Sequence, residues 1–292
     1  MKKKLTPYKL LVPQMIFSAI FLFGLVTGIT QSIGVVPAFG LTAPTLKYYR
    51  EILSDPVILK SIGYSFRIAL LSSLLATVIG VMLCGAIVMK RQNRGAYLRV
   101  IQIPIVIPHV VVALFVVSIL SQNGILSRIG YALGMIGEQQ EFPRFIYDSF
   151  GWGVILAYLW KEVPFIIYFV IALMANINEK LGEAAINLGA VPWTAFRKVT
   201  LPLCRNTIIS GFLIIFVFAL GAYELPAILG ATSPRALPVL AYIEYIHPDL
   251  QNRPYAMALN GIIILLSAIS AGMYFILTER NLKKLTGRKG GL

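Results

Sequence analysis

Six stretches of about 20 consecutive, mostly apolar residues run through the chain, each as long as a helix must be to cross a hydrocarbon layer about 30 Å thick. They cover approximately 10–33, 68–89, 101–120, 150–175, 208–229 and 256–277 of the 292 residues. Lipid supplies no hydrogen-bond partners to a backbone, and runs this long without alternation suit helices that satisfy themselves, not barrel strands. The expected fold is therefore an all-α integral membrane protein with six transmembrane helices, forming a single membrane domain over 1–292. With 58% hydrophobic and 13% charged residues, the chain is too apolar for a soluble domain of its length.

The first run follows Met1-Lys2-Lys3-Lys4 and must be weighed against a secretory signal. A signal's apolar region is about 7 to 15 residues long and ends at a small-x-small site. This run is longer and closes on no convincing site of that kind, so a retained helix is expected.

The net charge of +14 invites a nucleic-acid reading, but the basic residues sit in short clusters between apolar blocks, not on one water-facing surface. No nucleic acid is expected as a partner. Short loops rich in Lys and Arg stay in the cytoplasm. With the N-terminus inside, the inner segments hold Lys2, Lys3, Lys4 and Lys9, then Lys90, Arg91, Arg94 and Arg99. They continue with Lys180, Arg197, Lys198 and Arg205, and end with Arg280, Lys283, Lys284, Arg288 and Lys289, against Glu179, Glu183 and Glu279 alone. The outer segments carry equal numbers of acids and bases, so the excess charge lies entirely inside and both termini are expected there.

Among the inner segments, 177–206 is long enough to form structure of its own. Ile177, Leu181, Ala184, Ala185 and Leu188 recur at helical spacing, with Asn178 as a candidate N-cap and Gly189 as a stop. A second short helix is expected to start at Pro192, to show Trp193, Phe196 and Val199, and to end at Leu201-Pro202. An apolar ridge on such a hairpin calls either for a protein partner or for a seat on lipid headgroups.

Glu183-Ala184-Ala185, Gly189-Ala190, Phe196, Val199, Leu201 and Pro202 resemble the EAA loop of the membrane subunits of bacterial ATP-binding-cassette importers. The likeness covers about 20 residues placed before the penultimate helix, as the family pattern of EAA, three residues, G and a closing LP requires. It implies a type I importer permease in the bacterial cytoplasmic membrane, with coupling helices between helices 4 and 5. The partners it implies are a second permease subunit, two cytoplasmic ATPases that bind ATP-Mg, and an extracytoplasmic solute-binding protein. Glu183, Ala184, Ala185, Gly189, Ala190, Phe196 and Pro202 are then the ATPase-coupling residues. The chain has no G-x-x-x-x-G-K-[ST] segment, so no cofactor is expected in it and hydrolysis is assigned to the partner. It is expected to be a transport subunit, not an enzyme. The stretches Glu224 to Gly230, Leu237 to Leu240, Asp249-Leu250 and Arg253-Pro254 resemble the branch that imports spermidine and putrescine. Related branches carry ferric iron, thiamine or aminoethylphosphonate.

Ionisable groups inside a membrane are costly and mark a cavity or a partner. Counted from residue 150 at 1.5 Å per residue, Glu162 lies roughly 18 Å deep, near the bilayer middle. Trp160, Lys161 and Glu162 precede Pro164, which leaves the Trp160 carbonyl without its helical donor. Tyr223 and Glu224 lie toward the outer end of the fifth run. All five are substrate-pathway or gate candidates. Arg67 reads as a snorkelling anchor, His109 as a packed histidine, and Cys84 and Cys204 as core residues. Leu237 to Ile246 reads as an amphipathic interfacial helix. No metal site is expected from two cysteines and two histidines. The rival classes are an ion-coupled secondary transporter, which needs no docking loop, a membrane enzyme, and a passive channel.

Overall fold

The computed structural model describes residues 6–90 and 95–286, with the backbone alone at 6–10, 96–97 and 277–286. Lys2, Lys3, Lys4, Arg91, Arg94, Arg288 and Lys289, which enter the charge argument, lie outside the described residues. In chain order the α-helices are α1 (Thr6–Ser32), α2 (Lys47–Ser54), α3 (Pro56–Met89), α4 (Ala96–Val106), α5 (His109–Leu120), α6 (Ile125–Ala132) and α7 (Trp152–Ile177). They continue as α8 (Glu183–Asn187), α9 (Pro192–Ala195), α10 (Leu201–Leu203), α11 (Arg205–Gly221), α12 (Glu224–Leu229), α13 (Leu237–Tyr245) and α14 (Arg253–Thr286). Among the described residues the only β-type pairing is an isolated bridge between Val36 and Leu41.

Five continuous helical stretches are long and apolar enough to cross a membrane: Leu11–Ser32, Pro56–Met89, His109–Ala132, Trp152–Asn187 and Leu250–Ile276. A sixth arises if Pro192–Leu203 and Arg205–Gly221, which meet at 64°, form one bent span. The fold is thus the expected all-α membrane architecture, though three of the six runs behave differently from a simple apolar count.

The second helix begins at Pro56, not near residue 68. Asp55 caps it, its carboxylate accepting the Val57 N–H at 2.7 Å, and the polar stretch of Lys60, Ser61, Ser65 and Arg67 is wound into the same helix. The third run, expected over 101–120, is broken between α4 and α5. Pro108 has no N–H and pushes Ile107 into an extended conformation (φ −69°, ψ 130°). The fifth, expected over 208–229, stops at Gly221 and resumes as α12. Pro226 cannot donate to the Ala222 carbonyl and its ring crowds that position, and Ala222 is extended (φ −76°, ψ 136°).

The chain packs as two compact units, Met1–Leu59 with Leu237–Leu265, and Lys60–Ala236 with Leu266–Leu292. In the first, Tyr49 donates to Ser32 at 2.8 Å and the Arg253 guanidinium lies 3.9 Å over the Tyr245 ring. A helix forms as α13 where one is expected over 237–246, with Leu237, Pro238 and Ala241 inward and Tyr242 and Tyr245 exposed.

In the second unit α7 is the central element, and α4, α5, α11 and α12 all pack on it. Its start is fixed by Asp148, whose carboxylate accepts the N–H groups of Phe150, Gly151 and Trp152 at 3.0, 2.9 and 2.9 Å. Arg67 is not a snorkelling anchor. Its guanidinium donates to the Ser149 carbonyl at 2.5 Å and lies 4.6 Å from the Phe150 ring, so the α7 entry holds it. Tyr64, one turn earlier, is buried, and its hydroxyl accepts the Ala231 N–H at 3.0 Å.

Tyr64→Phe leaves that buried N–H without an acceptor, which costs about 1–3 kcal/mol. We expect the purified permease to lose several degrees in thermal midpoint while its far-UV circular dichroism is unchanged, and an unaltered midpoint would refute the role given to this bond.

Candidate functional site

Two regions hold the chemistry that the sequence singles out. The first is the hairpin that follows α7. The helix does not end at Asn178. It continues through a π turn (Asn178–Gly182) into α8, so Asn178 is an internal residue and not an N-cap. Its side-chain oxygen accepts instead from the Thr200 hydroxyl at 3.2 Å, across the hairpin. Thr200 lies in a second π turn (Phe196–Thr200), and the two π turns pack on each other. A π bulge shifts the helical register by one residue, and here the shift in both strands of the hairpin lets their polar side chains meet.

The tip is a Schellman motif. Gly189 has φ +95°, the Gly189 N–H reaches the Ile186 carbonyl at 2.9 Å, and the Ala190 N–H reaches Ala185 at 3.0 Å. Pro192 then opens α9 at its first position, where a missing N–H costs nothing. Leu201-Pro202 does not end the second helix. The chain stays helical through Leu203 and turns by 64° at Cys204, whose N–H is shared between Thr200 and Leu201 at 3.2 Å each.

Of the coupling residues named from sequence, Ala184 and Gly189 are exposed, Glu183, Ala185 and Ala190 half-buried, and Pro202 exposed at the far end. Phe196 is 4% exposed and faces inward. Its ring enters a notch in α3: a Cβ added to Gly85 would lie 2.5 Å from Phe196 Cζ. Around it lie Cys84, Val88, Met174 and Cys204, all buried. The outward surface is apolar, with Leu188 90% exposed at the tip and Leu181, Ile186, Val191 and Trp193 beside it. Ile186 falls outside the face drawn from helical spacing, and Val191 lies in the extended link before α9, where helical spacing does not apply.

The second region is a cavity of about 220 Å³ within the second unit, lined by Ile105, His109, Lys161, Glu162, Phe165, Ile214, Ile215 and Phe218. The ammonium of Lys161 donates to the carbonyls of Ile107 and, at 3.4 Å, Ile105. These are the acceptors freed where α4 breaks before Pro108, so a cation rests on the negative end of a helix. Glu162 is 4% exposed, and neither carboxylate oxygen has a hydrogen-bond partner. Ser72 stands beside it, with its hydroxyl turned to the Ala69 carbonyl at 3.3 Å. One turn earlier the Tyr158 hydroxyl is also buried without a partner.

Glu224, exposed at the α11/α12 break, lies within electrostatic reach of Lys161, His109 and Tyr158. Trp160 does not join this group. It lines a separate apolar cavity of about 360 Å³ with Val112, Phe115 and Leu156. Tyr223 is exposed beside Glu224. His109 belongs to the cavity, where its ring lies tilted against Phe218 with centroids 5.3 Å apart. Pro104 and Pro108 inside an apolar run are the signal that marks the break, and with it the carbonyls and His109. Among the described residues no cluster of His, Cys, Asp or Glu is arranged to hold a metal ion.

Residues 76–283, from the middle of α3 into α14, match the family described as binding-protein-dependent transport system inner membrane component. The chain is 24% identical over 239 residues to a probable sulfate transport system permease of Anthoceros angustus, covering 80% of this chain and 79% of that one. It is 28% identical over 218 residues to a probable molybdenum ABC transporter permease of Haloferax volcanii, covering 73% and 74%. To the putrescine transport system permease PotI of Escherichia coli K12 it is 22% identical over 198 residues, covering 67% and 65%. Its fold superposes with a TM-score of 0.79 on a chain of a bacterial alginate ABC transporter solved in complex with an alginate-bound periplasmic protein, at 20% identity and covering 97% and 96%. With most of its length inside one family, the chain belongs to the binding-protein-dependent transport system inner membrane components and is a multi-pass permease subunit of the ABC importer class.

Proposed function

We propose that this chain works with a second permease subunit, two cytoplasmic ATPases that bind ATP-Mg, and an extracytoplasmic solute-binding protein, with residues 1–292 acting as one permease domain. The observation that carries the proposal is the hairpin: an apolar outer ridge on an element whose inner side is fastened to the spans. Exposed apolar surface of this kind seeks a partner, and a groove on the ATPase is the occupant that the family implies. Ala184, Leu188 and their neighbours make the contact. Glu183 and Gly189 shape the turn, and Phe196 passes movement to α3. Docking of the loaded binding protein and closure of the ATPases favour an outward-open arrangement, and hydrolysis restores the inward-open one. A secondary transporter has no use for such a ridge.

Leu188→Asp should weaken association of the ATPase with the permease by roughly tenfold, measured by titration in detergent. Joint substitution of Glu183 and Gly189 should abolish uptake and its coupling to ATP hydrolysis, and intact transport by that doubly altered chain would sink the reading.

Both termini and the hairpin lie in the cytoplasm on this reading. Cys84 and Cys204 are buried, so an added cysteine reports by itself. In whole cells Gln139→Cys should react with an impermeant maleimide and Leu188→Cys should not, and the reverse pattern would invert the topology.

For the substrate we propose a polyamine. Glu162, a buried carboxylate with only the Ser72 hydroxyl beside it and no full hydrogen bond, suits a cationic amine, and PotI is among the similar proteins. A second reading, an oxyanion, is favoured by Lys161 and by the relatives named for sulfate and molybdenum. ATPase rates of the complete importer with its binding protein should rise with putrescine or spermidine. Stimulation by sulfate or molybdate alone would overturn the polyamine reading and leave the importer class standing.

A further inference from the structure

The cavity contains an ammonium group of its own. Lys161 is 9% exposed, and its ammonium lies on the carbonyls released where α4 breaks. Those contacts use two of its three donors. The neighbouring residue, Glu162, lines the same cavity with both carboxylate oxygens unpartnered. Successive helical residues point about 100° apart, so the lysine held on the carbonyls does not satisfy the glutamate. Unwound carbonyls joined to a carboxylate at mid-membrane depth make a donor set suited to cations. The remaining wall, with Phe165, Ile214 and Phe218, is apolar and matches an aliphatic spacer.

We propose that this cavity is an ammonium site whose resting occupant is Lys161, and that the tethered lysine competes there with an ammonium group of the substrate. The proposal rests on the polyamine reading above and deepens it. A group attached to the site's own helix acts at an effective concentration on the order of millimolar or higher, and a ligand must outcompete it to bind. The competitor keeps affinity low at the point where a transported solute must be let go. When one ammonium of the substrate takes the carbonyls and another takes Glu162, Lys161 is released toward Glu224, which already lies within its electrostatic reach. An orphaned acceptor and a buried cation side by side are then two halves of one exchange.

The test is equilibrium binding of radiolabelled putrescine to the complete permease–ATPase assembly in nanodiscs, without the binding protein. Lys161→Met should bind putrescine at least about tenfold more tightly than the unaltered importer. Lys161→Gln, whose amide still donates to the carbonyls, should move the same way, and adding Glu162→Gln to either should remove the gain. Unchanged or weaker binding by both lysine variants overturns the proposal. Failure of both to assemble does so too, since it marks Lys161 as a structural pin. If putrescine binds the unaltered importer and the lysine variants do not tighten it, self-occupancy fails and the polyamine reading stands. If the unaltered importer takes up sulfate or molybdate, ignores putrescine, and loses that uptake on Lys161→Met, the polyamine reading itself falls and Lys161 is an anion ligand.

Discussion

A backbone that enters hydrocarbon must keep its hydrogen bonds or have them replaced, and this requirement governs the structure more than any single side chain does. Two helices break at membrane depth, before Pro108 and at Ala222, and each break exposes carbonyls that lipid cannot serve. The second unit answers at the first break with the ammonium of Lys161, carried in from α7. A buried lysine and an interrupted helix are each expensive alone, and placed together they offset one another. The same contact fixes α7 against α4 and α5, which makes α7 the element on which the cavity, the cap at Asp148 and the hairpin all depend.

The hairpin applies a different solution. Its two π turns are paired by Asn178 and Thr200, and its tip is closed by backbone bonds at Gly189 and Ala190. Few of its contacts depend on long, mobile side chains. Such an element keeps its form whether or not its apolar ridge is covered, as the coupling role proposed above requires.

Much of this was legible in the sequence. Six apolar runs give the all-α membrane fold, and the spacing from Glu183 to Pro202 gives the hairpin and its family. What the runs conceal is where helices start and stop. Counting apolar residues missed the polar first turns of α3, because Asp55 and Pro56 begin a helix regardless of hydropathy. The breaks at Pro108 and Pro226 were written in the chain as prolines, but the rule that a proline disrupts its own helix does not say which distant side chain will serve the freed carbonyl. Lys161 is a candidate in the sequence because it is ionisable within an apolar run, and its partners are invisible there since they are main-chain atoms more than 50 residues away. Trp160 sits beside Lys161 in sequence yet faces another cavity, because adjacent helical positions diverge.

The notch at Gly85 has a mechanical consequence. A ring seated where a side chain is missing resists being pushed sideways, so Phe196 keys the hairpin to α3. The hairpin is also continuous with α7 at one end and joined to α11 through the bend at Cys204 at the other. On the coupling proposed above, a force applied at Leu188 divides among three spans with different linkages: continuous helix into α7, a 64° bend into α11, and the Phe196–Gly85 contact into α3. Under that proposal one displacement at the tip reaches three spans through three different joints, so the spans need not move alike.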